Sequence, residues 1–141
     1  MKRSFTVRIL SDRLAVCRLS AHIPMPEWAS KESLWSVTRT PNELSIVCPE
    51  ADVPPGIQAE RGWVPLHVVG PFPLTMTGVL ASLTKPLADA GISIFAISTF
   101  ETDIILVRET DLDFGARAGE PSPRNFVTSL VDNRRHSRGF R

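Results

Sequence analysis

The sequence predicts an α+β protein whose second half has a ferredoxin-like arrangement. Residues 63–69 form a mostly apolar run that is typical of a strand, and residues 77–90 carry apolar side chains at helical spacing. Two more apolar runs follow at residues 92–97 and 104–107, with a polar turn between them. Asp111 or Asp113 can then start another helix. The order strand, helix, strand, strand and helix is that of a ferredoxin-like unit.

Composition is that of an ordinary globular protein. The chain has 141 residues, of which 43% are hydrophobic and 22% are charged, so it can bury a core without disulfides or metal. Sixteen basic and fifteen acidic residues leave a net charge of +1, and we therefore expect no nucleic-acid partner. Asp12 and Arg13 interrupt the first apolar stretch, and no run approaches the about 18 apolar residues of a membrane span, so neither a signal peptide nor a membrane partner is expected.

The first half reads as short strands joined by turns. Residues 5–9 alternate apolar and polar side chains, and an apolar run resumes at 14–17 after a Ser-Asp turn, so these two segments are expected to pair as a hairpin. Residues 35–37 and 44–48 alternate on either side of a Pro-Asn turn. The first half is therefore predicted to be rich in strands.

This pattern divides the chain into three segments. A strand-rich N-terminal module is expected at 1–60, since a Pro-Pro-Gly sequence ends the first half. A second α+β module is expected at 61–118, followed by an irregular basic tail at 119–141 that is rich in arginine.

The predicted helix has recognisable ends. Thr75 or Thr77 can cap its start, and Gly91 is placed to end it. Pro86 lies inside the run and is expected to kink or weaken the helix.

Two segments of the second half can together bind a zwitterion. At the helix entry, residues 70–80, unpaired backbone N–H groups can hold a carboxylate, and Gly78 allows close approach to the backbone. The strand-turn-strand segment at 92–103 ends in hydroxyl groups together with Glu101 and Asp103. Those carboxylates can pair with an α-ammonium group or a basic side chain.

Residues 70–80 and 91–107 resemble the amino-acid-binding ACT domains found in sensors of the CASTOR type and in small bacterial tandem ACT proteins. The resemblance is carried by Thr77-Gly78-Val79-Leu80, Ala90-Gly91-Ile92-Ser93-Ile94, Ser98-Thr99-Phe100 and Thr102-Asp103. It implies a ferredoxin-like ACT sandwich with antiparallel sheets and two ACT-like modules. It also implies an amino-acid site at the edge between ACT units, without catalysis and without a cofactor.

The resemblance also implies a set of ligand-binding residues. Thr77, Gly78 and Val79 would face the carboxylate of the ligand. Its amino group and side chain would be surrounded by Ser98, Thr99, Phe100 and Asp103. The likeness ends near residue 118, where a member of the family would complete a helix and a last strand.

Each of these residues also has a structural explanation, because glycine, threonine and serine commonly serve turns and caps. Three functions therefore stay open: an amino-acid sensor acting as a homodimer, a dimerisation module without a ligand site, and an enzyme that uses Cys17, Cys48 or His67. Neither cysteine lies in a loop or at a helix start, and the three histidines lack metal-site spacing, so the enzyme and a metal site are disfavoured. Two buried thiols in a cytoplasmic protein are expected, with a disulfide left open.

Overall fold

A computed structural model describes residues 7–31, 33–69 and 78–112. Its elements, in chain order, are β1 (Val7–Ile9), β2 (Leu14–Leu19), β3 (Ser36–Arg39), β4 (Leu44–Pro49), β5 (Gln58–Val68), α1 (Val79–Asp89), β6 (Ile94–Ser98) and β7 (Asp103–Arg108). Single turns of 3-10 helix lie at Glu27–Ala29, Glu50–Asp52 and Glu109–Asp111. The order of β5, α1, β6 and β7 confirms the predicted α+β class.

The chain divides into two compact units at Val64 and Pro65, within β5. We call Ser11–Val64 the strand unit. The other, which we call the helix unit, contains residues 7–10, 65–69 and 78–112 of the described chain. All three tryptophans of the sequence therefore belong to the strand unit, whereas α1 belongs to the helix unit.

In the strand unit, β2 lies between β4 and the first part of β5 and is antiparallel to both. The β3–β4 hairpin predicted from the alternation around the Pro-Asn turn is confirmed. Alternate side chains of β2 and β4 are buried because they share one face of the sheet. The buried cluster on this face consists of Ala15, Cys17, Ala29, Leu44, Ile46, Cys48 and Val53.

The two cysteines of this cluster are buried, free thiols. Cys17 lies opposite Ile46 in the β2–β4 register, which places Cys48 two residues further along the neighbouring strand. Side-chain hydrogen bonding with Cys48 lowers the pKa of Cys17, whereas side-chain hydrogen bonding with Cys17 and burial raise the pKa of Cys48. The disulfide left open by the sequence is not formed.

In the helix unit, β1 is antiparallel to the end of β5, with Arg8 directly opposite His67. β6 and β7 form an antiparallel hairpin, and the strand order places β7 next to β5 and β6 at the end. Helix α1 buries Leu83 and Leu87. None of the helices in the described ranges is long and apolar enough to cross a membrane.

The C-terminal end of α1 has the hydrogen bonds of a Schellman motif. The N–H of Gly91 donates to the carbonyl of Ala88 (3.0 Å), and the N–H of Ile92 donates to the carbonyl of Leu87 (2.9 Å). Gly91 has φ +74°, the left-handed conformation that this motif requires, and Ile92 and Leu87 are both buried. The predicted helix end is confirmed.

Two expectations about these elements are wrong. β1 pairs with β5 and not with β2, because the Ser-Asp turn lacks the glycine that a tight hairpin favours and because β5 is long enough to pair with both strands. The N-cap of α1 is Gly78, in a left-handed conformation and without a side-chain cap, rather than Thr75 or Thr77. Those two threonines lie outside the described residues, as does the tail at 119–141.

Strand β5 is also longer than the apolar run that predicted it. It begins at Gln58, five residues before Trp63. This first part pairs with β2, and its residues are half-exposed or exposed. Several of them are polar, so this part of the strand lacks the continuous apolar pattern that predicted the rest. Pro86 is accommodated within α1, where its carbonyl accepts a hydrogen bond from the N–H of Ala90 (3.1 Å).

Candidate functional site

The turn between β6 and β7 brings together most of the predicted ligand-binding residues. Ser98 is the last residue of β6 and lies directly opposite Asp103, the first residue of β7. The intervening residues 99–102 form the loop of the hairpin, which we call the β6–β7 turn. Ser98 and Asp103 therefore project to the same face of the sheet, since directly opposite residues of an antiparallel pair do so.

Two threonines close this turn from within. The N–H of Thr99 donates to the carbonyl of Thr102 (2.8 Å), and the hydroxyl of Thr99 donates to the same carbonyl (2.9 Å). The N–H of Thr102 donates in return to the hydroxyl oxygen of Thr99 (3.1 Å), and the two hydroxyl groups are 3.1 Å apart. The hydroxyl proton of Thr99 is thus already used inside the turn, so this side chain holds the shape of the loop.

Asp103 supplies the charge of the site. Its side chain is half-buried, and its carboxylate makes no hydrogen bond or ion pair with any other residue of the described ranges. A carboxylate without a partner can pair with a cation through charge-assisted hydrogen bonds. Glu101, in the adjacent loop, is exposed and adds a second negative charge.

Phe100 lies at the tip of the turn and is 76% exposed. This exposure places the ring outside the core. A large apolar side chain held at a loop tip can cover a ligand or contact another surface.

A residue that sequence reasoning did not place at this site also contacts it. His67 of β5 is half-buried, and its Nε2 atom lies 3.3 Å from the hydroxyl oxygen of Thr102. Little in the sequence indicates this contact, because a histidine on a strand is ordinarily a core or edge residue with its hydrogen bonds satisfied. In addition, Thr102 is 35 residues away in the sequence.

The other predicted half of the site lies at the start of α1. Gly78 has φ +78° and precedes the helix, and its carbonyl accepts a hydrogen bond from the N–H of Ser82 (3.0 Å). Val79 is the first helical residue, and Thr77 lies outside the described residues. The hairpin thus brings together Ser98, Thr99, Phe100 and Asp103, and among the described residues no backbone hydrogen bond joins Gly78 to the β6–β7 turn.

Metal chemistry has no candidate residues in the part of the chain that the structure describes. No group of three or more histidine, cysteine, aspartate or glutamate side chains there could hold a metal ion. The arrangement therefore offers carboxylate, hydroxyl and aromatic groups around an exposed hairpin turn, and the first two can hydrogen-bond to a small polar molecule.

Residues 58–118, which include this turn and α1, match the family model of the ACT domain. Residues 12–56 match a separate model, that of an N-terminal domain. This match identifies an ACT domain in the second half of the chain, and its fold is the ferredoxin-like fold expected from the resemblance.

Its relatives include sensor proteins. The chain is 38% identical to the human protein CASTOR3P over 93 residues, which is 57% of either chain. It is 34% identical over 94 residues to the cytosolic arginine sensor for mTORC1 subunit 1 of Bos taurus, covering 59% of this chain and 29% of the sensor. The chain thus matches less than two thirds of the length of either relative.

A solved structure covers nearly the whole chain. The crystal structure of a protein from Agrobacterium tumefaciens is 33% identical and superposes with a TM-score of 0.78, over 92% of this chain and 91% of the other. The similarity therefore extends over both compact units and is not confined to the ACT domain.

Proposed function

We propose that this protein is a non-enzymatic regulatory sensor that binds a small amino acid at the β6–β7 turn and acts in the cytosol. The observation that carries the proposal is the half-buried carboxylate of Asp103, which has no partner among the described residues. An α-ammonium or guanidinium group is the cation that an amino acid would bring to it. The ACT-domain match and the similarity to cytosolic arginine sensors support the regulatory role.

The turn and the helix start serve different ends of the ligand in this proposal. Asp103, Ser98 and Phe100 surround the amino group and the side chain, and Thr99 holds the turn in shape. Thr77, Gly78 and Val79 receive the carboxylate, because the first N–H groups of an α-helix have no partner within the helix. A ligand that contacts both the β6–β7 turn and the start of α1 would favour one arrangement of these two elements, and binding would then be coupled to that arrangement.

We also propose the domain organisation expected from the sequence: an ACT-like module at 1–60, an ACT domain at 61–118 and a basic tail at 119–141. The two family-model matches, at 12–56 and 58–118, support a boundary close to residue 60. The compact units meet a few residues further on, between Val64 and Pro65.

The sensor is proposed to act as a homodimer, and β6 supports this. β6 is the last strand in the order of the described sheet and pairs with β7 alone. Its Ile94, Phe95 and Ile97 side chains are only half-buried, and Ala96 is exposed. An edge strand with apolar side chains is commonly covered by another chain. Analytical ultracentrifugation of the protein and of an Ala96→Lys variant tests this: the wild type is expected to sediment as a dimer and the variant as a monomer.

The test of ligand binding is a thermal-shift screen of the full chain against each standard amino acid. A ligand at about 100 times its dissociation constant adds about 2.7 kcal/mol to the free energy of unfolding, which raises the melting temperature by several degrees. We expect a selective shift with one amino acid, L-arginine being the first to try. Asp103→Asn, which keeps the shape and removes the charge, should abolish this shift.

The matched control is Asp12→Asn, since Asp12 is an exposed aspartate of the strand unit. This variant should show the same ligand-induced shift as the wild type. No shift of the wild type with any amino acid would contradict the sensor and favour the dimerisation module. Equal shifts in wild type and Asp103→Asn would leave an amino-acid sensor but remove its site from the β6–β7 turn.

A further inference from the structure

The β6–β7 turn is held by a directed chain of hydrogen bonds. When the hydroxyl proton of Thr99 is donated to the carbonyl of Thr102 (2.9 Å), the hydroxyl–hydroxyl contact at 3.1 Å has one remaining donor, the hydroxyl of Thr102. Once Thr102 has donated its only hydroxyl proton, its oxygen can only accept a hydrogen bond. The Nε2 atom of His67, 3.3 Å away, is therefore the donor of the last bond in the chain.

This chain links strand β5 to the turn. His67 is fixed by the pairing of β5 with β1, where Arg8 lies directly opposite. Thr102 is half-buried, as is His67, so the bond between them is shielded in part from water. A shielded bond from a rigid strand to a loop restricts the rotamer of the loop residue, and through it the neighbouring hydroxyl.

We propose that His67 is a positioning residue for the ligand site: its Nε2–H holds Thr102, which holds Thr99, and so fixes the turn that places Ser98 and Asp103. This inference rests on the proposed amino-acid site and assigns a role in it to a residue outside the set predicted from the sequence. His67 itself acts through Thr102 and does not touch the ligand.

The test compares three variants of the full chain. His67→Leu removes the donor, whereas His67→Gln retains an N–H group at similar reach. His22→Leu is the control, since His22 is exposed and belongs to the strand unit. Affinity for L-arginine is measured by titration calorimetry, and backbone amide exchange of Thr99 and Thr102 is measured by NMR without ligand.

Loss of one neutral hydrogen bond corresponds to a change of about twofold to tenfold in an equilibrium constant. We expect His67→Leu to weaken L-arginine binding by that factor and to speed amide exchange at Thr99 and Thr102 by a similar one, while amides of α1 keep their rates. His67→Gln should restore both properties, and His22→Leu should change neither. The imidazole nitrogen shifts of His67 should report a proton on Nε2.

The affinity for L-arginine and the amide exchange rates distinguish a failure of the proposed amino-acid site from a failure of the positioning role of His67. If L-arginine does not bind the wild type but His67→Leu speeds exchange at Thr99 and Thr102 and His67→Gln restores it, the positioning of the turn stands and arginine is removed as the ligand. If exchange at both amides is the same in His67→Leu and wild type, the positioning role is overturned, whatever the affinity. Loss of binding that His67→Gln does not restore would overturn it as well.

Discussion

At the scale of single residues, the thiol pair of Cys17 and Cys48 shows how burial and a hydrogen bond act together. Both side chains are almost fully buried, and neither forms a disulfide. Hydrogen bonding with Cys48 lowers the pKa of Cys17, whereas hydrogen bonding with Cys17 and burial raise the pKa of Cys48. The pair sits in the core of the strand unit, where it acts as two small apolar side chains.

Removing Cys48 should raise the pKa of Cys17. In Cys48→Ala the hydrogen bond that lowers this pKa is lost, while burial, which raises it, remains. The ultraviolet absorbance of the thiolate, followed against pH, should therefore appear at a higher pH in Cys48→Ala than in the wild type. In the reciprocal Cys17→Ala variant, the pKa of Cys48 should fall but stay above its ordinary value, because burial persists. An unchanged titration in Cys48→Ala would contradict the hydrogen bond.

At the scale of elements, the sequence pattern predicted the features that are formed by residues close to one another in the chain. The hairpin of β6 and β7 and the end of α1 at Gly91 follow from apolar runs and turn residues that are neighbours in the sequence. The pairing of β1 with β5 was missed because it joins residues about sixty positions apart, for which alternation alone offers no signal.

The contacts of the candidate site also divide into those between sequence neighbours, which could be predicted, and those between distant residues, which could not. Ser98 and Asp103 could be placed together from the sequence, since a hairpin pairs the residues that flank its turn. The contact of His67 with Thr102 could not, because it depends on which strand lies beside β7. The role of Thr99 was also not evident, since a threonine in a turn can bind a ligand or close the loop, and only its hydrogen bonds distinguish the two.

The Schellman motif at the end of α1 gives a prediction at this scale. Gly91→Ala should lower the free energy of unfolding by about 1–2 kcal/mol, because an L-residue is strained at φ +74°. No atom lies within 4 Å of the added Cβ, so this cost is one of backbone strain and not of a clash. Gly91→Asn should cost less, since asparagine tolerates the left-handed conformation. Urea denaturation measures both, and equal losses for the two variants would contradict this assignment.

At the scale of the whole molecule, each compact unit has its own fully buried side chains. Ile46 is buried in the strand unit and Leu106 in the helix unit, both at 0% exposure. Strand β5 is continuous across the division, since its first part pairs with β2 and its last part with β1. Unfolding of β5 therefore removes strand pairing from both units, which favours a cooperative transition.

The distribution of natural probes allows this cooperativity to be measured. Trp28, Trp35 and Trp63 report on the strand unit by fluorescence, whereas the helical component of the far-ultraviolet circular dichroism reports on α1 of the helix unit. In urea, the two signals of the wild type should change with the same midpoint, because both depend on β5. Ile46→Ala and Leu106→Ala should each cost about 2–5 kcal/mol, the range for removing a buried aliphatic side chain, and each should shift both signals together.

The exposed Ile9 supplies the control. Its side chain is 43% exposed, so Ile9→Ala should cost much less than either core substitution. If Ile46→Ala moves the fluorescence midpoint and leaves the dichroism midpoint in place, the two units unfold independently, and the continuity of β5 does not couple them. A coincident shift of both midpoints would mean that a core substitution in one unit changes the stability of the other. In that case, stabilisation of the β6–β7 turn by a bound ligand should also appear in the fluorescence of the strand unit, since binding to the folded state stabilises the entire cooperative structure.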